Sequence, residues 1–314
     1  MLLLDRGNWW KQIATVRGTA LVRVWPRLLA VTLVATAVTI AHEKTDTPIW
    51  SLSVLPFSLV AVALGIFLGF RNNTSYDRFW EGRKLWGRLV NTTRTLARQV
   101  QMMVGPQQET PGTSPEQAQV HQELVYRIIA YVHAFRLHLR DQPLGDELEG
   151  LLPDDERQAL EGQLNRPLAI LRELGARFRD LWQQGKIHPL HLPALEQSLT
   201  MLTDIQGACE RIKSTPIPSS YTVLIHRIVA VYAFALPFGI VETVGIATPE
   251  VVAIIAYAFF GLDAVGEEIE EPFGTDVNDL PLHTLSRMIE INLRQTLGEP
   301  EVPAVLQPVD GVLQ

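Results

Sequence analysis

The chain has 314 residues, a formal net charge of −7 at pH 7 and 47% hydrophobic residues. With a mean hydropathy of +0.10, this is high for a soluble enzyme and low for a protein lying wholly in a bilayer, so we expect a mixed architecture. The single cysteine, Cys209, excludes an internal disulfide and a cysteine-based zinc or iron–sulfur site. The negative charge balance argues against nucleic acid as a partner.

Four apolar stretches follow one another along the chain: Leu28–Ala41, Trp50–Phe70, Ile228–Val241 and Val251–Leu262. Only the second stretch, which carries no charge, exceeds the roughly 18 residues that a helix needs to cross a bilayer. The other three could be buried helices of a soluble core, but the charges that flank them favour membrane spans. Because they are short, we expect neighbouring subunits to cover their ends.

The basic residues lie on one side of these stretches. Five precede the first stretch and five follow the second: Arg6, Lys11, Arg17, Arg23, Arg27, and Arg71, Arg78, Arg83, Lys84, Arg88. Only Lys44 lies between the first and second stretches, and no lysine or arginine separates the third from the fourth. By the positive-inside rule, we predict an integral membrane protein with four transmembrane helices in two hairpins and with both termini in the cytoplasm.

The long stretch Trp50–Phe70 carries two patterns at helical spacing. The first, which we term the apolar stripe, consists of Val62, Ile66 and Phe70. The second, the small-residue stripe on the neighbouring face, consists of Ala61, Gly65 and Gly69. Small residues let a second helix approach closely in a membrane. In a ring of such helices, the apolar stripe could face the axis and form a hydrophobic constriction that controls ion passage by dewetting. The alternative is that the apolar stripe simply packs against another helix.

The region between the two hairpins is predicted to be helical and cytosolic. We expect helices over Asp77–Val104, Gln119–Arg140, Arg166–Gln184 and Leu192–Lys213, with a linker at residues 105–117. The predicted divisions are an N-terminal helix and hairpin (1–71), a cytosolic helical region (72–220), a second hairpin (221–266) and a cytosolic C-terminal helix and tail (267–314). The Pro-rich tail from Gly298 is expected to be extended along a partner surface or disordered.

Three strings in this order resemble the bacterial branch of the bestrophin family of ion channels. They are FLGFRNNTSYDRFWEGRKLWG at 67–87, GACERIKSTPIPSSYTVLIHR at 207–227 with LPFG at 236–239, and GEEIEEPFGTDVNDLPL at 266–282. The resemblance runs from about residue 5 to residue 295. It implies an all-α homopentamer with an axial pore, a narrow neck in the membrane and a second constriction at the cytosolic end.

The resemblance assigns residues to both constrictions. The neck falls on the apolar stripe, and the cytosolic aperture falls on Ile217 in the string TPIP. Pro216 and Pro218 prevent a regular helix there, so that an isoleucine can project from the backbone. On this interpretation Ile217 lies far from the neck, at the opposite end of the pathway. The alternative is a helix-breaking connector before the third span.

An acidic segment, residues 267–279, contains the weak metal candidates Glu268, Glu271, Asp276 and Asp279. The equivalent stretch of animal bestrophins holds calcium, which favours six to eight oxygen ligands. Here Thr275 and Val277 interrupt the acidic row. We therefore expect no cofactor, with calcium as the alternative, and interpret the segment as a helix N-cap that pairs with arginines of residues 71–88 in another subunit.

These observations predict a passive channel for small monovalent ions in the bacterial inner membrane, with itself and the lipid bilayer as partners. Chloride is the ion implied by the family. A cation channel is the first alternative, because five copies of the chain would carry about −35 charges and acidic vestibules concentrate cations. A membrane-anchored scaffold is the second. No nucleotide-binding glycine loop, catalytic serine elbow or HExxH motif is present, so we predict no enzyme. The string HPLH at 188–191 is interpreted as a loop.

Overall fold

The computed structural model describes residues 1–2, 9–16, 18–44, 53–105 and 114–313, and for Lys11 the backbone only. Every regular element in these ranges is helical, which confirms the all-α prediction. The α-helices are α1 Trp9–Ala14, α2 Ala20–Lys44, α3 Val54–Met103, α4 Pro115–Leu139, α5 Asp154–Glu161, α6 Arg166–Gln183, α7 Leu192–Ser214, α8 Ser219–Val244, α9 Thr248–Glu270 and α10 Leu282–Thr296. Short 3₁₀ turns lie at Asp146–Leu148 and Gly245–Ala247.

Three helical stretches are long and apolar enough to cross a membrane: Ala20–Lys44, Val54–Met103 and Ser219–Glu270. The third contains both α8 and α9, which join at a tight turn where Gly245 adopts a positive φ of 61°. The short spans predicted from sequence are wrong in length, because α2, α8 and α9 have 25, 26 and 23 residues. Each helix continues through polar flanks, so no neighbouring subunit is needed to cover a short span.

Helix α3 is the longest element and joins the two parts of the protein. It has 50 residues, which corresponds to about 75 Å. The predicted separate helix Asp77–Val104 is therefore the second half of α3, and the division expected between residues 71 and 72 falls inside one uninterrupted helix. Among the predicted features, Arg6, Arg17 and Trp50 lie outside the described residues.

The first core lies among the four apolar helices. Leu64 and Leu68 of α3 are buried together with side chains of α2, α8 and α9: Val24, Val31, Ala35, Ile225, Val229, Tyr232, Ala233, Leu236, Ile240, Val252, Ala256, Phe260 and Ala264. Gly239 of α8 is required for this packing, because a Cβ atom at that position would collide with the ring of Phe57 in α3. The beginning of α3 is thereby held against α8.

The second core surrounds the second half of α3. The rings of Trp86 in α3 and Phe135 in α4 stack with centroids 5.7 Å apart, and Tyr131 stacks on Phe135 at 5.9 Å. Helix α4 is buried along most of its length against α3, α6, α7 and α10. The predicted helices over these regions are confirmed. The polar eight-residue helix α5 was not predicted, and α4 begins at Pro115, inside the predicted linker, where Ser114 accepts the Gln117 N–H at 3.2 Å.

The C-terminal tail is extended, as predicted, but it contacts its own chain. Beyond Gly298 the chain runs without helix back to the N-terminus. The Leu313 N–H donates to the Met1 carbonyl at 2.9 Å, and Leu2 pairs with Val312 in an isolated antiparallel bridge. The tail therefore ties the two ends of the chain together.

Cys209 of α7 lies fully buried in the second core, and burial raises the pKa of its thiol well above the ordinary value. Because the thiolate is the reactive form, we expect no labelling of the folded wild-type protein by a maleimide at pH 7.5. The measurement is intact mass after labelling, with a denatured sample as the positive control. One adduct per chain in the native protein would contradict the burial of this residue.

Candidate ion pathway

The apolar stripe lies on the face of α3 that points away from the chain's own core. Val62, Ile66 and Phe70 are 64%, 53% and 63% exposed. Leu64 and Leu68 lie on the opposite face and are buried. A single copy of the chain therefore leaves this row of large apolar side chains uncovered, over about 12 Å of helix.

The small-residue stripe is also largely free within one chain. Ala61 is partly buried against the core of the apolar helices. Gly65 and Gly69, in contrast, have no other group of the described residues within 4 Å of the position that a Cβ would occupy. None of the described helices of the same chain therefore packs closely on these two glycines, and another molecule could do so.

Directly after the apolar stripe, α3 carries a buried charge. The guanidinium of Arg71 forms an ion pair with the carboxylate of Asp263 in α9, and their side chains are 0% and 2% exposed. His226 of α8 places its Nε2 3.1 Å from the other oxygen of Asp263. Glu270 lies at the edge of this group, with a carboxylate oxygen 3.9 Å from Arg71. We term these four residues the Arg71 cluster, since it joins α3, α8 and α9 at one level.

Ile217 is held beside the Arg71 cluster. Its backbone N–H donates to Glu270 Oε1 at 2.9 Å. One helical turn further on, the Tyr221 hydroxyl donates to the carbonyl of Phe67, a residue of α3 between Ile66 and Phe70, at 3.2 Å. The structure therefore corrects the expected location of Ile217, which lies half-buried close to the inner end of the apolar stripe and not at the far end of the protein.

Arg78 holds the turn around Ile217 through three hydrogen bonds. Its Nη2 donates to the Ile212 carbonyl at 2.6 Å, its Nη1 donates to the Thr215 carbonyl, and its Nε donates to the Glu270 carbonyl at 3.1 Å. One side chain of α3 thus satisfies carbonyls at the end of α7 and at the end of α9. The prolines on either side of Ile217 interrupt the helix, and Arg78 supplies the donors that the interrupted backbone lacks.

The last turn of α3 marks the end of this helix that is farthest from the apolar stripe. Val104 pairs with Ile187 in an isolated bridge, and the Gly105 N–H donates to the Lys186 carbonyl at 2.7 Å. The turn that connects α6 and α7 therefore lies about 50 Å from Phe70, counted along α3. It contains the predicted loop 188–191, and within it Leu190 is 79% exposed. Sequence analysis missed this residue because a single leucine in a loop has no pattern.

The acidic segment does not gather its carboxylates around one point. Asp279 Oδ2 accepts the Asp276 N–H at 2.7 Å, and Glu268 accepts from the Asn278 side chain at 2.6 Å. Asp276 pairs with Arg23 at 2.6 Å. Across the described part of the chain, no group of three or more His, Cys, Asp or Glu side chains could hold a metal ion.

The predicted helix N-cap is wrong. The N-cap residue of α10 is Pro281, no side chain caps this helix, and the segment instead begins at the C-terminal end of α9. Contacts with Arg71 and Arg78 do exist, but they are made to Glu270 within the same chain.

A cavity of about 730 Å³ opens between the Arg71 cluster and the acidic segment. Its lining includes Ile217, two arginines and six carboxylates: Arg23, Arg71, Glu267, Glu268, Glu270, Glu271, Asp276 and Asp279. The space next to the C-terminal end of the apolar stripe is thus lined mainly by acidic side chains of the same chain.

The fold and this site define a helical membrane protein whose apolar, uncovered helix face leads toward a charged cavity. The chain matches the model of the family described as Bacterial/Fungal Bestrophin protein over residues 1–295. It therefore belongs to the bestrophin family.

Relatives and solved structures agree with this assignment. A voltage-dependent anion channel-forming protein of Ralstonia nicotianae is 39% identical over 96% of both chains. The voltage-dependent anion channel-forming protein YneE of Escherichia coli K12 is 35% identical over 98% of both chains. The crystal structure of a bacterial bestrophin homologue from Klebsiella pneumoniae superposes with a TM-score of 0.81 at 32% identity, and covers 88% of this chain and 100% of that one.

Asp279 allows a test of the acidic segment. Burial raises the pKa of its carboxyl to about 6, above the ordinary value of 3.8. The folded state therefore binds more protons than the unfolded state between about pH 4 and 6, and stability falls as the pH rises through this window. We expect Asp279→Asn, which keeps an oxygen acceptor for the Asp276 N–H, to raise the melting temperature at pH 7 and to leave it unchanged at pH 4.

The measurement is thermal unfolding of the detergent-solubilised protein at both pH values. Glu301→Gln in the exposed tail is the matched control, since it removes one charge away from the segment. A destabilised Asp279→Asn protein at pH 7 would mean that the ionised carboxylate has a favourable partner.

Proposed function

We propose that the protein is an anion channel that passes small monovalent ions, chloride among them, through a pore built from several copies of the chain. The observation that carries the proposal is the apolar stripe, a row of large apolar side chains on a membrane helix that none of the described residues of its own chain covers. The names of the relatives supply the ion class. The channel lies in the bacterial inner membrane, with α2, α3, α8 and α9 as four spans and both termini in the cytoplasm.

Five copies related by a rotation axis complete the proposed pore. In such a ring, the apolar stripe faces the axis as the neck, and Gly65 and Gly69 face a neighbouring helix. Apolar side chains offer a partly dehydrated ion no replacement ligands, so that a narrow apolar ring controls passage through its wetting. We assign no cofactor to this channel, and calcium binding at the acidic segment is the alternative.

A cation channel of the same fold is the second candidate, because six carboxylates line the cavity inside the neck. Reversal potentials of purified protein in liposomes under a potassium chloride gradient separate the two. An anion channel reverses toward the chloride equilibrium potential and a cation channel toward that of potassium. A protein that carries no current in either direction would instead favour the membrane-anchored scaffold.

The oligomer is tested by mass. We expect light scattering, after subtraction of the detergent, to give about five times the chain mass of 35.2 kDa. The physical reason is the uncovered area around Gly65, Gly69 and the apolar stripe, which a monomer would expose. Gly65→Leu should shift the protein toward smaller species, with Ala63→Leu as the control outside both stripes. A monomeric wild-type protein would rule out the pore.

The neck is tested by side-chain truncation. Ile66→Ala removes three carbons, widens the proposed constriction and lowers its dewetting barrier, so we expect a larger single-channel conductance or open probability. The control is Ile254→Ala, an exposed residue of α9 outside the stripe. Currents in planar bilayers measure the effect. If both Ile66→Ala and Phe70→Ala behave as wild type, the stripe only packs against another helix.

A second constriction has two candidate positions about 50 Å apart along α3. Ile217 is the residue that the family resemblance indicates, and Leu190 is the exposed apolar residue at the far cytosolic end. Truncation of the residue that forms the constriction should increase the relative permeability of large anions such as glutamate over chloride. We expect either Ile217→Ala or Leu190→Ala, and not both, to show this change in reversal potential. Unchanged permeability ratios in both variants would mean that neither residue narrows the pathway.

A further inference from the structure

A groove on the outside of the apolar helices combines apolar walls with one arginine, and the proposed pore uses neither. It lies between the outer half of α3 and the middle of α8 and has a volume of about 370 Å³. Its walls are apolar: Pro56, Phe57, Val60, Ile228, Val231, Tyr232 and Ala235. One charged residue, Arg227, lies at its end. From Arg227 to Ala235 the groove follows α8 for about 12 Å.

Arg227 is exposed, and none of the described residues forms a hydrogen bond or an ion pair with its guanidinium. Its neighbour His226 contacts Asp263, the partner of Arg71. Arg227 is therefore the groove residue nearest to the Arg71 cluster, which lies where the uncharged stretch of α3 ends. In the proposed arrangement of spans, this is the cytoplasmic boundary of the hydrocarbon layer, at the depth of the phosphate groups.

We propose that this groove binds an anionic phospholipid of the inner leaflet, with its phosphate on Arg227 and one acyl chain between α3 and α8. Arginine presents planar donors that match a phosphate, and its aliphatic part can lie along apolar walls. The inference rests on the proposed membrane spans, and it does not depend on which ion the channel conducts.

A second copy of the chain is a poorer occupant on grounds of charge. Counted from the sequence, α3 carries no acidic residue before Asp77, and α2 carries none before Glu43. Asp263 is the acidic residue of α9 near Arg227, and it already contacts Arg71 and His226. A neighbouring chain that placed its α2 or the apolar part of its α3 on the groove would bury Arg227 without a counter-charge, which is costly. A lipid phosphate supplies that charge.

The test is native mass spectrometry of the assembled protein in detergent with added lipid. The probes are phosphatidylglycerol and phosphatidylcholine with the same acyl chains. For the wild type we expect retention of one phosphatidylglycerol per chain in preference to phosphatidylcholine. Arg227→Gln should reduce this preference about fivefold, as expected for one basic residue near a membrane surface. Arg27→Gln, an exposed arginine of α2, is the matched control and should keep the preference.

A second variant fills the apolar part of the groove. Val231→Trp leaves Arg227 in place, so we expect it to lower the retention of both lipids. Inorganic phosphate at millimolar concentration should not displace phosphatidylglycerol, because the acyl chain contributes to binding. Displacement by phosphate alone would overturn the lipid site in favour of a simple anion site.

Two other results would also overturn the proposal. Equal retention of phosphatidylglycerol by the wild type and Arg227→Gln would remove the role of the arginine. Efficient cross-linking of Val231→Cys between subunits would identify a second copy as the occupant, and the buried Cys209 gives little background in that experiment. Ion flux measured in parallel keeps the two proposals separate, since a channel that conducts normally without lipid selectivity would refute only the lipid site.

Discussion

The ion pair between Arg71 and Asp263 is the constraint on which the rest of the pathway depends. Both side chains are buried, and removal of one partner from a buried pair typically costs about 3–5 kcal/mol, because the other charge remains uncompensated. The pair fixes the rotation of α3 against α9. A register shift of one residue would rotate the apolar stripe by about 100°, so the direction in which Val62, Ile66 and Phe70 point is set one residue beyond the stripe itself.

The length of α3 extends this constraint beyond the apolar helices. The same helix carries Leu64 and Leu68 in the first core, Arg71 and Arg78 after it, and Trp86 in the second core. Since the helix is continuous, a displacement of the second core must either move the apolar stripe or bend α3. Arg78 adds a second connection, because it holds the ends of α7 and α9 around Ile217. The position of the turn at Ile217 therefore depends on the position of α3.

Sequence patterns could predict helices and stripes, which depend on neighbours along the chain. They failed for positions that are determined by contacts with residues distant in sequence. Helical spacing identified the apolar stripe, α4, α6 and α7, and three strings indicated the family. The ends of α2, α8 and α9 were missed because polar residues continue those helices beyond the apolar stretches. The location of Ile217 depends on Glu270, 53 residues away, and the partner of Arg71 is 192 residues away. No local pattern encodes such pairings.

The same contacts explain why net charge is a poor guide to the ion that passes. The acidic cavity suggests cations when its carboxylates are counted, but Asp276 is paired with Arg23, and Glu270 accepts the Ile217 N–H beside Arg71. Paired charges partly cancel beyond about 8–10 Å in physiological salt. In the proposed pore, an ion at the neck would meet Phe70 before these residues, and the edge of an aromatic ring is electropositive. We therefore expect the local order of side chains along the pathway, more than the total of −7 per chain, to govern selectivity.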